Sequence, residues 1–467
     1  MQFKYTKFAT ALILTGSLVG CAAVVNTPYQ QPQVNIPSNF EYAKNLSQQI
    51  NANAYADQWW TLFNDPQLNQ LVNQVIVANP DLAVAGINIK QALLQAGLAE
   101  NRQGLRVNSS VSGGHSFDLH SGDHADRGMS VSAGVSYEID LFGKLASQTE
   151  AAKWEALATE QDLQATAQTL IATTAKLYWQ LGYLNELYAV AEQNLASTNK
   201  TYELVQLQYK TGQVSGLDLA QAAQAVQSQK STLSQIDQQK VETRTALAVL
   251  LNQTVQQLDI DEPPRLPNVA LPDIAAGLPA TLLSRRPDLQ ATEFRLRKTL
   301  ANKDATKASY YPSISLTGNL GASSVSLTEL LKNPALTLGA NLSLPFLQYN
   351  DMKKDIAISN LEYEKVIVQY RKTLYQAFAD VENALSSRTQ LNRQVTLQER
   401  NAQLAERTEY LTQVRYQHGA ISLKNLLDAQ ETTRNARMSL VQTKQNQYNA
   451  YVTLMQALGG SPIQQIP

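Results

Sequence analysis

Tyr209-Lys-Thr-Gly-Gln-Val-Ser215 returns as Tyr416-Gln-His-Gly-Ala-Ile-Ser422, an offset of 207 residues. The same offset carries Asn79-Pro-Asp-Leu82 onto Arg286-Pro-Asp-Leu289, and Leu219, Ala222 and Leu251 onto Leu426, Ala429 and Leu458. Separate segments that share one offset mark an internal tandem duplication. It gives a first repeat over 65–258 and a second over 280–460, followed by a tail over 461–467. The linker 259–279 carries Pro263, Pro264, Pro267, Pro272 and Pro279, a spacing that excludes regular helix.

Each repeat contains a long segment nearly free of helix breakers. Phe346 to His418 has neither Gly nor Pro, and Lys144 to Thr211 has only Gly182. At 1.5 Å per residue, such a helix would reach on the order of 100 Å. Short breaks at Gly212 and Gly216, and at Gly419, precede further helical runs over 217–258 and 420–458. Each repeat therefore predicts an antiparallel helical hairpin, with tips at about 209–222 and 416–429. Leu219-Ala-Gln-Ala-Ala-Gln-Ala-Val-Gln-Ser-Gln229 is typical of these runs, and its narrow apolar seam suits coiled-coil packing.

Between the helices the period changes from 3.6 to 2. Val107, Ser109 and Val111 alternate with Asn108, Ser110 and Ser112, and Val131 to Ile139 alternates with Ser130 to Glu138. Ile314 to Leu320 opposes Ser313 to Asn319, and Leu336 to Phe346 opposes Thr337 to Ser343. Two strand hairpins, about 107–140 and 313–346, follow. Their length and alternation suit a transmembrane barrel, yet four strands cannot close one, since the smallest has about eight. A dimer would supply eight strands and a trimer twelve, the latter wide enough for a polar lumen. A soluble four-stranded sheet packed on one face is the competing reading.

The turn of the first hairpin, Gly113 to Gly128, holds His115, His120 and His124, three of the four histidines, among Asp118, Asp123 and Asp126. Imidazole and carboxylate are suitable zinc, copper or nickel ligands. The histidines lack the i, i+4 spacing of a helical metal pair, and the flanking glycines point to a polar loop, so metal binding is the secondary reading.

A formal net charge of −1 and 16% charged residues give no electrostatic case for a nucleic-acid partner. No phosphate-binding Gly-rich loop or paired Ser/His or Cys/His nucleophile is recognisable, so no catalysis and no resident cofactor are expected. Residues 1–20 read as a secretory signal: Lys4 and Lys7 precede an apolar run from Phe8 to Val19, too short to span a bilayer. Leu18-Val-Gly-Cys21 resembles a bacterial lipobox. Cys21, the only cysteine, is then the lipidation site opening an extended segment over 21–64, and no disulfide can form within the chain. Ala22 and Ala23 stand where an aspartate would retain such a lipoprotein at the inner membrane, which points to the outer membrane.

Trp59-Trp-Thr-Leu-Phe-Asn-Asp-Pro-Gln-Leu68, Asn79-Pro-Asp-Leu82, Asp140-Leu-Phe-Gly-Lys144, Arg285-Arg-Pro-Asp-Leu289 and Tyr311-Pro-Ser-Ile-Ser-Leu-Thr-Gly318 occur in this order. In that order, together with the duplication, the chain resembles the TolC-type outer-membrane efflux channels, and among them the lipoprotein, NodT-like branch. Apart from this likeness, Asp65-Pro66, Asn79-Pro80 and Arg286-Pro287 read as plain helix starts.

The resemblance implies an α+β membrane protein in which long antiparallel helices form a coiled-coil barrel. Four transmembrane strands per protomer would close as a twelve-stranded barrel in a homotrimer, continuous with a twelve-helix periplasmic tunnel. Its partners would be outer-membrane lipid, a periplasmic adaptor and an inner-membrane resistance-nodulation-division (RND) pump, with drugs, toxic compounds or metal ions as cargo. The family's gate residues match Asp218, Asn425, Asp428 and Tyr416, with Tyr416 a donor to a neighbouring Asp218. A gate arginine of the family falls on Ile421, so apolar packing would replace a salt-bridge latch. A type I secretion duct shares the fold, and a lipid-anchored, metal-binding periplasmic scaffold is the rival outside it.

Overall fold

The computed structural model describes residues 25–34, 40–43, 58–117, 124–267, 271–272, 285–324, 330, 332 and 334–460. In chain order the principal elements are α1 (Pro66–Ala78), α2 (Pro80–Asn101), β1 (Arg106–Phe117), β2 (His124–Ile139), α3 (Lys144–Lys210) and α4 (Gly216–Leu250). They continue with α5 (Pro287–Ala308), β3 (Ser313–Ser324), β4 (Ala335–Ser343), α6 (Tyr349–Gln417) and α7 (Leu423–Ala457). Pro80 and Pro287 open helices of 22 residues each, 207 positions apart, and α4 and α7 are 35 residues each.

The chain divides into two units. One holds Gly86–Gln161 and Gln290–Thr373 with the N-terminal segment up to Val34; the other holds Asn35–Ala85, Asp162–Leu289 and Leu374–Pro467.

In the first unit the strands form one antiparallel sheet in the order β1-β2-β3-β4. The hairpin strands are longer than their apolar alternation. β1 runs on to Phe117 and β2 begins at His124, with a register shift between His115 and Ser116. The expectation that β1 ends near Gly113 and β2 begins near Ser130 is therefore corrected. Backbone pairing continues beyond the apolar stripe, because a ladder needs only N–H and C=O groups. β4 stops at Ser343, short of the expected Phe346, and Pro345–Leu347 form a 3-10 turn. Pro345 has no N–H to give the ladder.

The N-terminal segment is fastened to α5. The Thr27 backbone N–H and hydroxyl each donate to a different oxygen of the buried Asp304 carboxylate, both at 2.7 Å. Two residues on, the Arg297 guanidinium lies 4.3 Å from the Tyr29 ring centre and 4.9 Å from that of Trp154, which stacks in turn on Phe294. A cation held between two aromatic faces gains about 0.5–1 kcal/mol per contact.

The second unit is built on an aromatic core. The 3-10 turn Trp59–Phe63 drives Trp59 and Phe63 against Trp179 of α3 and Tyr448 and Tyr451 of α7. Trp59, Trp179 and Tyr451 are fully buried, so truncating either indole would cost about 3–5 kcal/mol. Asp65 caps α1, accepting from the backbone N–H groups of Gln67 and Leu68, and also receives the Tyr178 hydroxyl at 2.9 Å. Burial, then the Asp65 charge, raises the Tyr178 phenol above its ordinary value.

Part of the proline-rich linker lies against α3 at Gly182. A Cβ there would meet the Arg265 carbonyl oxygen at 3.0 Å and Pro263 Cγ at 3.2 Å. Asn185 donates to the Pro263 carbonyl and Glu186 accepts from the Leu266 N–H. The lone glycine of this helix stands where another stretch of backbone crosses it.

Candidate functional site

Two places carry the function that the sequence suggests: the sheet and the paired hairpin tips.

A soluble sheet buries one face against a core. Here the apolar side chains stay exposed: Val107 at 76%, Val111 at 77%, Leu336 at 68% and Leu338 at 78%. All nine residues of β4 are exposed. That disposes of the reading as a soluble sheet packed on one face. The register places the small polar residues together on the other face. Ser110 lies opposite Ser132 and Ser112 opposite Ser130, with hydroxyl pairs at 2.8 and 2.7 Å. Glu138 and Lys144 form an ion pair at 2.9 Å where β2 leads to α3. Phe142 and Tyr311 stack at 4.7 Å beside the first turns of the sheet. One apolar and one hydroxyl-rich face, both uncovered, suit a wall between lipid and water.

The tips belong to the second unit and repeat one backbone plan. Gly212 has φ +74° and Gly419 φ +69°, the left-handed conformation that ends a helix. The Gly212 N–H donates to Tyr209 O and Gln213 N–H to Gln208 O; Gly419 N–H donates to Tyr416 O and Ala420 N–H to Arg415 O. Both turns then lead to a serine N-cap, Ser215 or Ser422.

The side chains differ between the two turns. Ser215 and Asp218 form a reciprocal capping box: Asp218 accepts from the Ser215 N–H at 2.9 Å, and Ser215 Oγ accepts from the Asp218 N–H at 3.3 Å. Hydrogen bonds from the Ser215 hydroxyl and N–H hold the Asp218 carboxyl below its ordinary value. In the second tip Asn425 Oδ1 accepts from Ser422 Oγ at 2.8 Å, and Asp428 pairs with Lys424 at 2.7 Å on the exposed surface.

Tyr416 joins the two hairpins. Its ring is 6% exposed in a cluster with Val205, Ala222, Leu423 and Leu426, and its hydroxyl donates to Gln208 Oε1 at 2.8 Å. The expected donation to Asp218 is thus corrected within this chain, since the Asp218 carboxylate is engaged by Ser215. Asp218 still acts at a distance: burial and then its charge raise the Tyr416 phenol above its ordinary value. Ile421 packs against the same cluster, so the position lacking the family's arginine is filled by apolar contact.

Other expected sites fare differently. His115 and His124 occupy strand positions paired with Arg127 and Phe117. His120 and Cys21 lie outside the described residues. Among the described residues no three His, Cys, Asp or Glu side chains group as a metal site. Arg286, read as part of a plain helix start, is largely buried and binds Asp288 at 2.8 Å, Asp380 at 3.3 Å and the Ala457 carbonyl. A doubled arginine before Pro-Asp was the only signal, and sequence order could not supply its partner 94 residues away.

A family model described as outer membrane efflux protein matches residues 71–253 and again 278–460. The chain is 31% identical to the pyoverdine export outer membrane protein OpmQ of Pseudomonas aeruginosa, over 86% of this chain and 87% of that one. It is 28% identical to the cation efflux system protein CusC of Escherichia coli, over 98% and 99%. The open-state structure of the Neisseria gonorrhoeae MtrE outer membrane channel superposes with a TM-score of 0.79 at 27% identity, covering 93% of this chain and 97% of that one.

Proposed function

Because this chain belongs to the outer membrane efflux protein family, we propose that three copies assemble into one passive exit duct. The observation that carries this reading is the four-stranded sheet with neither face covered. An open edge in lipid leaves backbone groups unpaired, and three sheets of this kind make a twelve-stranded closed wall. The α2 residues Val84, Ile87, Leu93, Leu94 and Leu98 are likewise exposed in the single chain. Among the described residues α2 alone has the length and apolarity of a membrane-spanning helix, by composition only, and packing between copies would bury that stripe.

The family match falls twice, at starts 207 residues apart, which supports a tandem duplication with repeats over 65–258 and 280–460 joined by 259–279. Residues 1–20 serve as the export signal, and Cys21 carries the lipid at the start of the N-terminal segment 21–64. A periplasmic adaptor and an inner-membrane RND pump supply the cargo and the energy, and no catalytic step is assigned to this chain. Pyoverdine-like and cationic cargo are both in scope, given what OpmQ and CusC are named for. The Tyr416–Gln208 contact and the apolar cluster around Ile421 hold the tips shut, with Asp218 and Asp428 supplying negative charge at the constriction.

The test is purification in detergent, determination of the assembled mass, and conductance in a planar bilayer. A trimer with steady ion conductance is expected. A monomer that needs no detergent and conducts nothing would overturn the proposal.

A further inference from the structure

Away from the tips, the long helices of the second unit lie in the order α4, α3, α7, α6. The Lys240 ammonium of α4 sits over the Tyr188 ring of α3 at 5.1 Å, and Gln430 of α7 donates to the Thr201 hydroxyl of α3 at 3.0 Å. α7 meets α6 where Thr433 donates to the Ala405 carbonyl, and where Lys444 and Arg437 pair with Glu399 and Glu406 at 3.2 and 2.7 Å. α4 and α6 are therefore the outer helices of the row, each with one face left over.

The face left on α6 combines charge with apolar bulk. Arg393, Leu397, Arg400, Leu404, Arg407 and Leu411 follow at alternating intervals of four and three, which sets them in one stripe, about 180° around the helix from the residues that meet α7. All six are exposed, the leucines at 60%, 51% and 47%. Among the described residues none of the three guanidinium groups meets a carboxylate. Arg400 donates to the Gln403 amide oxygen at 3.4 Å, and Arg407 lies 5.6 Å from the centre of the Tyr410 ring.

The face left on α4 is its complement. Ala220, Gln224, Gln227, Ser231, Ser234 and Gln238 follow at the same intervals, opposite the buried Ala222, Val226 and Ile236. All six are exposed, and all but the alanine offer an oxygen acceptor. Gln238 donates to Glu242 at 3.0 Å, so the stripe ends in a carboxylate. The heights agree as well. Ala222, Tyr416 and Leu426 share one cluster, which holds the two tips level. At about 1.5 Å per residue from the tip ends of the helices, Leu404 stands at about 20 Å, between Gln227 and Ser231. Arg393 stands at about 36 Å, between Gln238 and Glu242. Rotation about a duct axis preserves height, so the same levels face one another between copies.

Resting on the trimeric duct reading above, we infer that the Arg-Leu ridge of α6 seats antiparallel in the short polar face of α4 of the next copy. The leucines enter the gaps left by Ala220, Ser231 and Ser234. The guanidinium groups take amide and hydroxyl oxygens along the way, and Arg393 takes Glu242 at the top. Ridge and groove stand on opposite ends of one row, so the contact runs head to tail and closes as a ring.

The experiment uses the full chain in detergent. Leu404→Cys is combined in turn with Gln227→Cys and Ser231→Cys and oxidised with copper phenanthroline, with Leu404→Cys alone as background. A disulfide needs Cα atoms within about 7 Å, so reducible two- and three-chain species on a denaturing gel are expected from these pairs. Leu404→Cys with Thr245→Cys, on the same face of α4 but about 21 Å further along than Ser231, should stay single-chain. As a second measurement, Arg393→Glu should lower the fraction still trimeric after dilution severalfold, and Glu242→Arg in the same chain should restore it.

A conducting trimer that forms neither cross-link, and whose Leu404→Cys takes a bulky maleimide as fast as a free thiol, would overturn the inference and leave the duct reading standing; the ridge would then be open to an acidic helix of another protein. Cross-linking through Thr245→Cys instead, or loss of trimer that Glu242→Arg does not restore, would overturn the register. A monomer that needs no detergent would sink the duct reading and this inference with it.

Discussion

Replacing Tyr416 by Phe removes one hydroxyl and leaves the ring in its apolar cluster, so it isolates the bond to Gln208. An intramolecular hydrogen bond of this kind contributes about 1 kcal/mol net. Gln208 is half-buried, and its amide can turn to water once released, which keeps the loss near that mean. In a trimer whose tips open together, three such losses sum to about 3 kcal/mol, or an open-to-closed ratio raised about 150-fold.

Single-channel recording in a planar bilayer reads this ratio as open probability. The same bond predicts a pH dependence. Burial and the Asp218 charge raise the Tyr416 phenol of the packed tip above 10.0, so if this contact is the latch proposed above, closure favours the protonated form. Closed-state stability is therefore complete below pH 10 and lost as the pH rises through the elevated value. The wild type should open at strongly alkaline pH, and Tyr416→Phe should lack that step. Gln208→Leu should open the tip as Tyr416→Phe does, and the double variant should add little more. Equal open probability in the wild type and both single variants would refute the tip contact as a latch.

Ser215→Ala removes half of the capping box at the start of α4 and should cost about 1 kcal/mol, seen as roughly fivefold faster amide exchange around Asp218 with little change elsewhere. Asp218→Asn should weaken the same cap at neutral pH; because the carboxyl is held below its ordinary value, the difference from wild type should vanish as the pH falls through that lowered value. Gly182→Val drives two methyls into the Pro263 to Arg265 backbone and should destabilise the chain by about 1–3 kcal/mol in thermal unfolding, whereas an exposed helix position such as Gln193 should tolerate valine. Arg286→Met should cost about 1–3 kcal/mol by the same measurement, since Asp288 and Asp380 remain facing one another without their shared cation.

The sequence was most legible where one physical rule governs many residues. Period 2 identified each of the four described strands because side chains of a membrane strand must alternate between lipid and water. It failed where that demand ends: past Gly113 and before Ser130 the ladder continues without an apolar stripe, so His115 and His124 were read as loop. Gly212 and Gly419 were readable as turns because a left-handed residue ending a helix selects for glycine.

Partners distant in sequence were not readable. Nothing near Tyr416 indicates that its hydroxyl meets Gln208, and the repeat itself misleads, since an aspartate one hairpin away is the more obvious acceptor. Arg286 and Gly182 each looked like local features, a helix start and a stray helix breaker. Each answers to a segment brought in by the fold, Asp380 in one case and the linker in the other.

The clasp of Thr27 on Asp304 also bears on the order of assembly. It ties residues 277 apart, so the earliest described part of the chain has no docking site until the whole first repeat, the linker and the first helix of the second repeat exist. Closing a loop of that length costs about 5 kcal/mol of chain entropy, which two hydrogen bonds to a carboxylate, at about 1.5–3 kcal/mol each, barely offset. The clasp therefore forms on an already folded α5, after the first repeat has been made. Fastening of the N-terminal segment at Thr27 thus reports that α5 has formed.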